Sequence, residues 1–138
     1  MYYWVILLGG TNDLGINSPT QIFNSISRLG SIAREKGAKV ILMTIPHGIN
    51  VSVETETSKF QIPSAIQDKR KQTNEMIKEL VGLVSDTVLV DLESEIDPQG
   101  MSEADRLSIW DDRIHFKPKG YDLIAELVYK AVLPWISS

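Results

Sequence analysis

Three unbroken apolar runs mark out the chain. They are Tyr2-Tyr3-Trp4-Val5-Ile6-Leu7-Leu8 before Gly9-Gly10, "AKVILMTIP" at 38–46 and "DTVLVDL" at 86–92. None alternates with polar residues, so each reads as a strand buried on both faces, as in a parallel sheet. The segments between them follow a helical period instead. "SPTQ" at 18–21 predicts a helix start, with Ser18 as cap, Pro19 in the first turn and Gln21 closing a capping box. Ile22, Ile26, Leu29 and Ala33 then recur at helical spacing, and Gly37 provides a stop. A second helix is expected in "PSAIQDKRKQTNEMIKELVGLVS", with Ile66, Thr73, Ile77, Leu80 and Val84 on one stripe. A last helix from Pro118 should turn Ile124, Leu127, Val128, Ala131 and Trp135 inward. Two stretches lack a period. Residues 47–62 form a polar loop of a length that more often serves function, and 93–111 holds a short helix near "SEADRLSIW".

The order β-α-β-α-β-loop-α predicts an α/β fold, a parallel sheet with helices on both faces, in a single domain over 1–138. The chain opens directly in a strand, which raises the expectation of a missing N-terminal part. Composition narrows the class further. The net charge is −4, with no basic footprint for nucleic acid. There is no cysteine, and no apolar run long enough to span a bilayer. The first run also lacks the flanks of a signal peptide, which favours a cytoplasmic location unless an upstream segment carries one.

Ligands of open parallel sheets bind outside the carboxyl ends of the strands. Three polar clusters fall there: "GGTND" after the first strand, "PHGIN" after the second, and "DDRIH" ahead of the last helix. Asp112 lies three residues before His115. A carboxylate that holds one imidazole nitrogen leaves the other as a general base, although a lone D-x-x-H spacing also arises by chance. Asn12, at the end of a strand, can donate to a developing oxyanion. Gly9 and Gly10 allow a sharp turn, and Asp13 is read as organising the loop. The alternative for this cluster is an ordinary turn closing a strand. His47, past the second strand, is read as lining a pocket. Arg70 and Asn74 lie one helical turn apart and are read as a solvated face or a loop tether. Two histidines with scattered carboxylates make no metal-ligand pattern, so no metal is expected.

Taken together, "VILLGGTNDLG" and "WDDRIHFKPKGYDLIAELV" resemble the third and fifth motif blocks of the SGNH hydrolase superfamily, the GDSL-type lipases and esterases. The resemblance covers nearly the whole chain. It implies a flavodoxin-like α/β/α sandwich and ester hydrolysis through an acyl-enzyme without a cofactor. It also implies that Asp112 and His115 are the acid and base of a Ser-His-Asp triad. Asn12 would be the side-chain oxyanion donor, with Gly10 beside it, and a small-molecule acyl ester the substrate.

Two blocks of that family have no counterpart here, the G-D-S-type block of the nucleophile and the block whose glycine N–H completes the oxyanion hole. No G-D-S-type serine follows a buried strand, and no serine of the chain stands at a strained strand-to-helix turn. The expectation is an ester hydrolase chain that keeps about three strands and lacks its nucleophile, with little activity as it stands. The alternative is a non-catalytic ligand-binding module. Either reading leaves the first strand as an open edge, inviting an edge-strand dimer.

Overall fold

A computed structural model describes residues 3–49 and 62–137. Three strands, β1 (Tyr3–Leu7), β2 (Ala38–Met43) and β3 (Thr87–Val90), form a parallel sheet in the order β1-β2-β3. The helices are α1 (Pro19–Glu35), α2 (Ser64–Leu83), α3 (Leu92–Glu95), α4 (Glu103–Ile109) and α5 (Pro118–Ile136).

Local chemistry accounts for the boundaries. The Ser18 side chain accepts from the Gln21 backbone N–H, and the Gln21 side chain accepts from the Ser18 N–H, so the capping box forms as expected. α1 ends at Lys36, and Gly37 follows in the left-handed region at φ 82°.

β2 is the central strand, which explains why its apolar run is buried almost throughout. Its alternate residues feed two cores. Val40 and Leu42 pack with Ile22, Ile26 and Ile77 from α1 and α2. Ile41 and Met43 pack with Val90, Ile109, Trp110 and Ile124 on the opposite face. This is the three-layer α/β architecture that the pattern predicts.

β1 lies at the edge of the sheet, as expected from the sequence, but its faces are less covered than the apolar run implies. It pairs with β2 on one side only among the described residues, and Tyr3 and Ile6 are more than half exposed. An apolar run reports that a strand has no polar face, not what covers its faces. Leu29 is also exposed, with Gly30 taking the inward place on α1, and Trp135 lies at the surface. Trp135 is still engaged, meeting Trp4 edge to face and lying under the Lys39 ammonium.

Beyond Met43 the chain leaves the sheet and its backbone needs other partners. Thr44 N–H still donates to Val90 O. At Ile45 a side chain takes over: Asn74 Oδ1 accepts from Ile45 N at 2.7 Å and Asn74 Nδ2 donates to Ile45 O at 2.9 Å. The amide thus acts as a strand partner supplied by α2. Both residues are fully buried. Of the two readings of Arg70 and Asn74, the solvated face is corrected by their burial, and the tether is what forms: they tie the exit of β2. Replacing Asn74 with Ala strands the buried Ile45 N–H, at about 1–3 kcal/mol, and leaves Ile45 O with only the 3.4 Å contact from Arg70, at about 1 kcal/mol more. Asn74→Ala is expected to lower unfolding free energy by about 2–4 kcal/mol in denaturant titration; a loss below about 1 kcal/mol would show that the tether is dispensable.

Candidate active site

The three polar clusters meet at the carboxyl ends of the strands. After β1, Gly10 adopts φ 101° and opens a single 3-10 turn, Thr11–Asp13. A Cβ at Gly10 would lie 2.8 Å from both Ile22 and Ile45, so only glycine fits the conformation and the space. This turn leaves Asn12 exposed and facing a cavity. Asp13 anchors the segment up to Asn17: its carbonyl accepts from Ile16 and Asn17 N–H, and its carboxylate accepts from the Asn17 side-chain amide.

The segment from Trp110 to Phe116 is a tight loop closed by an isolated antiparallel bridge between those two residues. Asp111 N–H donates to His115 O, and Lys117 N–H to Ile109 O. Trp110 is fully buried and its indole N–H donates to His47 O, pinning the loop to the cluster after β2. Ile49 N–H donates to Arg113 O. Gly48 allows this approach, since a Cβ there would lie 2.7 Å from Arg113 O.

Within that loop Asp112 Oδ1 accepts from the Ile114 and His115 backbone N–H groups, each at 2.7 Å. Its Oδ2 meets His115 Nδ1 at 2.6 Å. The hydrogen bond from the His115 ring, followed by the two backbone N–H groups, holds the Asp112 carboxyl well below the usual carboxylate range. The same bond raises the pKa of His115. An ionised carboxylate only accepts, so Nδ1 carries the proton and Nε2 is left with its lone pair. Both side chains are more than half exposed, so Nε2 is accessible.

His47 has the opposite setting. Arg70 Nη2 lies 3.2 Å from its Nδ1. A guanidinium only donates, so Nδ1 accepts and Nε2 carries the proton. Burial first, and Arg70 second, lower its pKa. Asp97, 4.0 Å from Nε2, is too distant for a hydrogen bond. The Arg70 guanidinium also binds Glu93 at 2.8 Å, Gln67 at 3.1 Å and Ile45 O at 3.4 Å. Lys78 bridges Glu93 and Asp91. Against the upward push of burial, the Ser94 hydroxyl and then Lys78 hold Asp91 below its ordinary range, and Lys78 with Arg70 does the same for Glu93. Sequence reasoning missed this network. Its trace was present, because Arg70 and Asn74 share a helical stripe with Ile66, Thr73 and Ile77.

A cavity of about 370 Å³ lies between these parts. Asn12, Leu14, Pro46, Ile66, Arg113 and Ile114 line it, among others, and its walls are mostly apolar. His47 also lines it, whereas His115 is not among the lining residues and follows directly on two of them. The loop expected at 47–62 is described only at its ends, so Ser52 and Ser58 lie outside the described residues. No cluster of metal-ligating side chains occurs among the described residues, and no described helix is long and apolar enough to cross a membrane.

The chain is similar to several solved structures. A GDSL-like lipase from Bacteroides thetaiotaomicron aligns with 95% of this chain and 62% of its own length, at 20% identity and a TM-score of 0.71. A structure described as a putative platelet activating factor from Streptococcus pneumoniae aligns over 96% and 59%, at 20% identity and 0.64. A mutant of an acetyl-xylooligosaccharide esterase from Geobacillus aligns over 94% and 58%, at 15% identity and 0.68. At these identities the likeness shows the fold, and the chain spans about three-fifths of the length of these structures. No curated protein sequence matches. The family model described as GDSL-like lipase/acylhydrolase matches residues 3–123, most of the chain. With the same fold in the solved lipase and esterase, the chain belongs to the GDSL-like lipase/acylhydrolase family.

Proposed function

We propose that this chain carries the acid, base and oxyanion groups of a serine ester hydrolase acting on a small acyl ester. The observation that carries the reading is the Asp112 carboxylate, bound to His115 Nδ1 at 2.6 Å and steadied by two backbone N–H groups. In this mechanism His115 Nε2 takes the proton of a serine hydroxyl as that oxygen attacks the ester carbonyl. Asp112 stabilises the imidazolium. Asn12, exposed on the rim cavity by the Gly10 turn, donates its side-chain amide to the developing oxyanion. His115 then protonates the departing alcohol, and water releases the acyl group by the reverse steps. No cofactor is required.

This reading takes none of the described serines as the nucleophile. No serine hydroxyl among them is hydrogen-bonded to the His115 ring. The chain alone is therefore expected to hydrolyse p-nitrophenyl acetate and butyrate no faster than an Asn12→Ala/His115→Ala double variant. Turnover by the unaltered chain clearly above that variant would place the nucleophile within these residues and overturn this part of the reading.

The two histidines should titrate in opposite directions. In a proton NMR titration, His115 is expected above the ordinary histidine value of 6.5 and His47 below it. Asp112→Asn removes the carboxylate charge, so the His115 midpoint should fall. A raised folded pKa means that the pair's contribution is full below 6.5 and is lost as pH rises through the folded value. On the acid side it is lost as pH falls below 3.8 through the lowered Asp112 value. A His115 midpoint unmoved by Asp112→Asn would contradict the assignment.

The open edge of β1 supports a second copy as a partner. Size-exclusion chromatography is expected to show concentration-dependent association, reduced by Ile6→Lys. A chain that stays monomeric at every concentration would contradict it.

A further inference from the structure

A second concavity, about 270 Å³, adjoins the first and shares His47, Gly48, Gln67 and Arg70 with it. Its other walls are Ile49, Lys71, Pro98, Gln99 and Arg106. The chain as a whole is acidic, at −4, yet this lining holds three permanent cations and no carboxylate. Their states differ. Arg70 is buried and is committed to Glu93, Gln67, Ile45 and His47. Exposed Lys71 and partly buried Arg106 make no side-chain hydrogen bond or ion pair among the described residues. Two cations of separate helices thus face one hollow without a counter-charge there. Gln67 and Gln99 add amide groups able to donate.

We propose that this hollow is an anion subsite, which takes a carboxylate or phosphate carried by the ester substrate some distance from the scissile bond. The substrate class is then an anionic acyl ester rather than a neutral one. A concave site lined by one sign of charge concentrates ligands of the other sign, and Arg106 offers a planar fork for two anion oxygens. The two hollows share four wall residues, and the proposal takes one molecule to reach over that shared wall into both. Binding energy from a remote group can orient the ester at the reacting centre. The substrate half of this inference rests on the ester-hydrolase reading; the anion half does not.

The test is an NMR titration of the whole chain at constant ionic strength with three probes: inorganic phosphate, monomethyl succinate and ethyl acetate. Phosphate should shift the Gln67 and Gln99 side-chain amides saturably. Lys71→Ala/Arg106→Ala should weaken this about tenfold or more without changing the melting temperature, and His115→Ala should leave it unchanged. Monomethyl succinate should shift those amides together with Asn12 and Ile114, and bind more tightly than ethyl acetate. Unsaturable shifts, or saturation equal in the double variant, would overturn the anion subsite. Monomethyl succinate confined to the Gln67 and Gln99 amides would overturn its link to the substrate while leaving the anion site standing. Because every arm reads binding, the test of the subsite does not depend on ester turnover, which the chain alone is not expected to show.

Discussion

The rim of this molecule depends on how the chain leaves β2. Sheet pairing lapses after Thr44, and the next residue would bury an unpaired N–H and C=O. Asn74 supplies both missing partners to Ile45, and Arg70 reaches the same carbonyl. An unpaired polar group costs far more in this dry setting than a bond gains at the surface. The tie therefore fixes α2 against the end of the sheet and sets the direction in which Pro46, His47 and Gly48 depart. The neighbouring loops are hung from that fixed point. His47 O receives the Trp110 indole, Ile49 N–H meets Arg113 O, and the loop bearing Asp112 and His115 is held in place.

The two histidines show how one rim creates two chemistries. His115 is exposed and bound to an ionised carboxylate, so its free nitrogen is basic and reachable. His47 is partly buried against a guanidinium, so it is held neutral and offers an N–H. The first suits proton transfer, and the second suits lining a pocket. Asymmetry of this kind comes from the partner's charge, because the imidazole is the same in both places. Arg70 connects the neutral histidine to Glu93 and, through Lys78, to Asp91 at the end of β3. The charges beneath the rim thus form one connected group spanning α2 and the loop after β3.

The features legible in the sequence are those with short-range causes. The capping box at Ser18 and Gln21 and the stop at Gly37 need only a few consecutive residues. Asp112 and His115 are likewise tied within three residues, through a side-chain bond and two turn N–H groups. The apolar runs marked the strands for the same reason. Features set by distant partners were not legible. Arg70 and Asn74 look polar in isolation, although their place on the stripe with Thr73 and Ile77 points them inward. Their partners lie 25 and 29 residues away. β1 reads as buried on both faces, yet Tyr3 and Ile6 are exposed, because what covers a strand's faces is a property of the assembled fold. The cationic hollow has no local motif, since α2, α4 and two loops each contribute part of it.

Asp112 holds His115 so that Nε2 is the base. The most direct measurement is the long-range nitrogen–proton NMR spectrum of both imidazoles above their titration midpoints. His115 is expected to carry its proton on Nδ1 and His47 on Nε2. Asp112→Asn should release His115 from that preference. His115 protonated on Nε2 in the unaltered chain would leave no lone pair facing outward, and the assignment of this pair as a catalytic acid–base couple would be wrong.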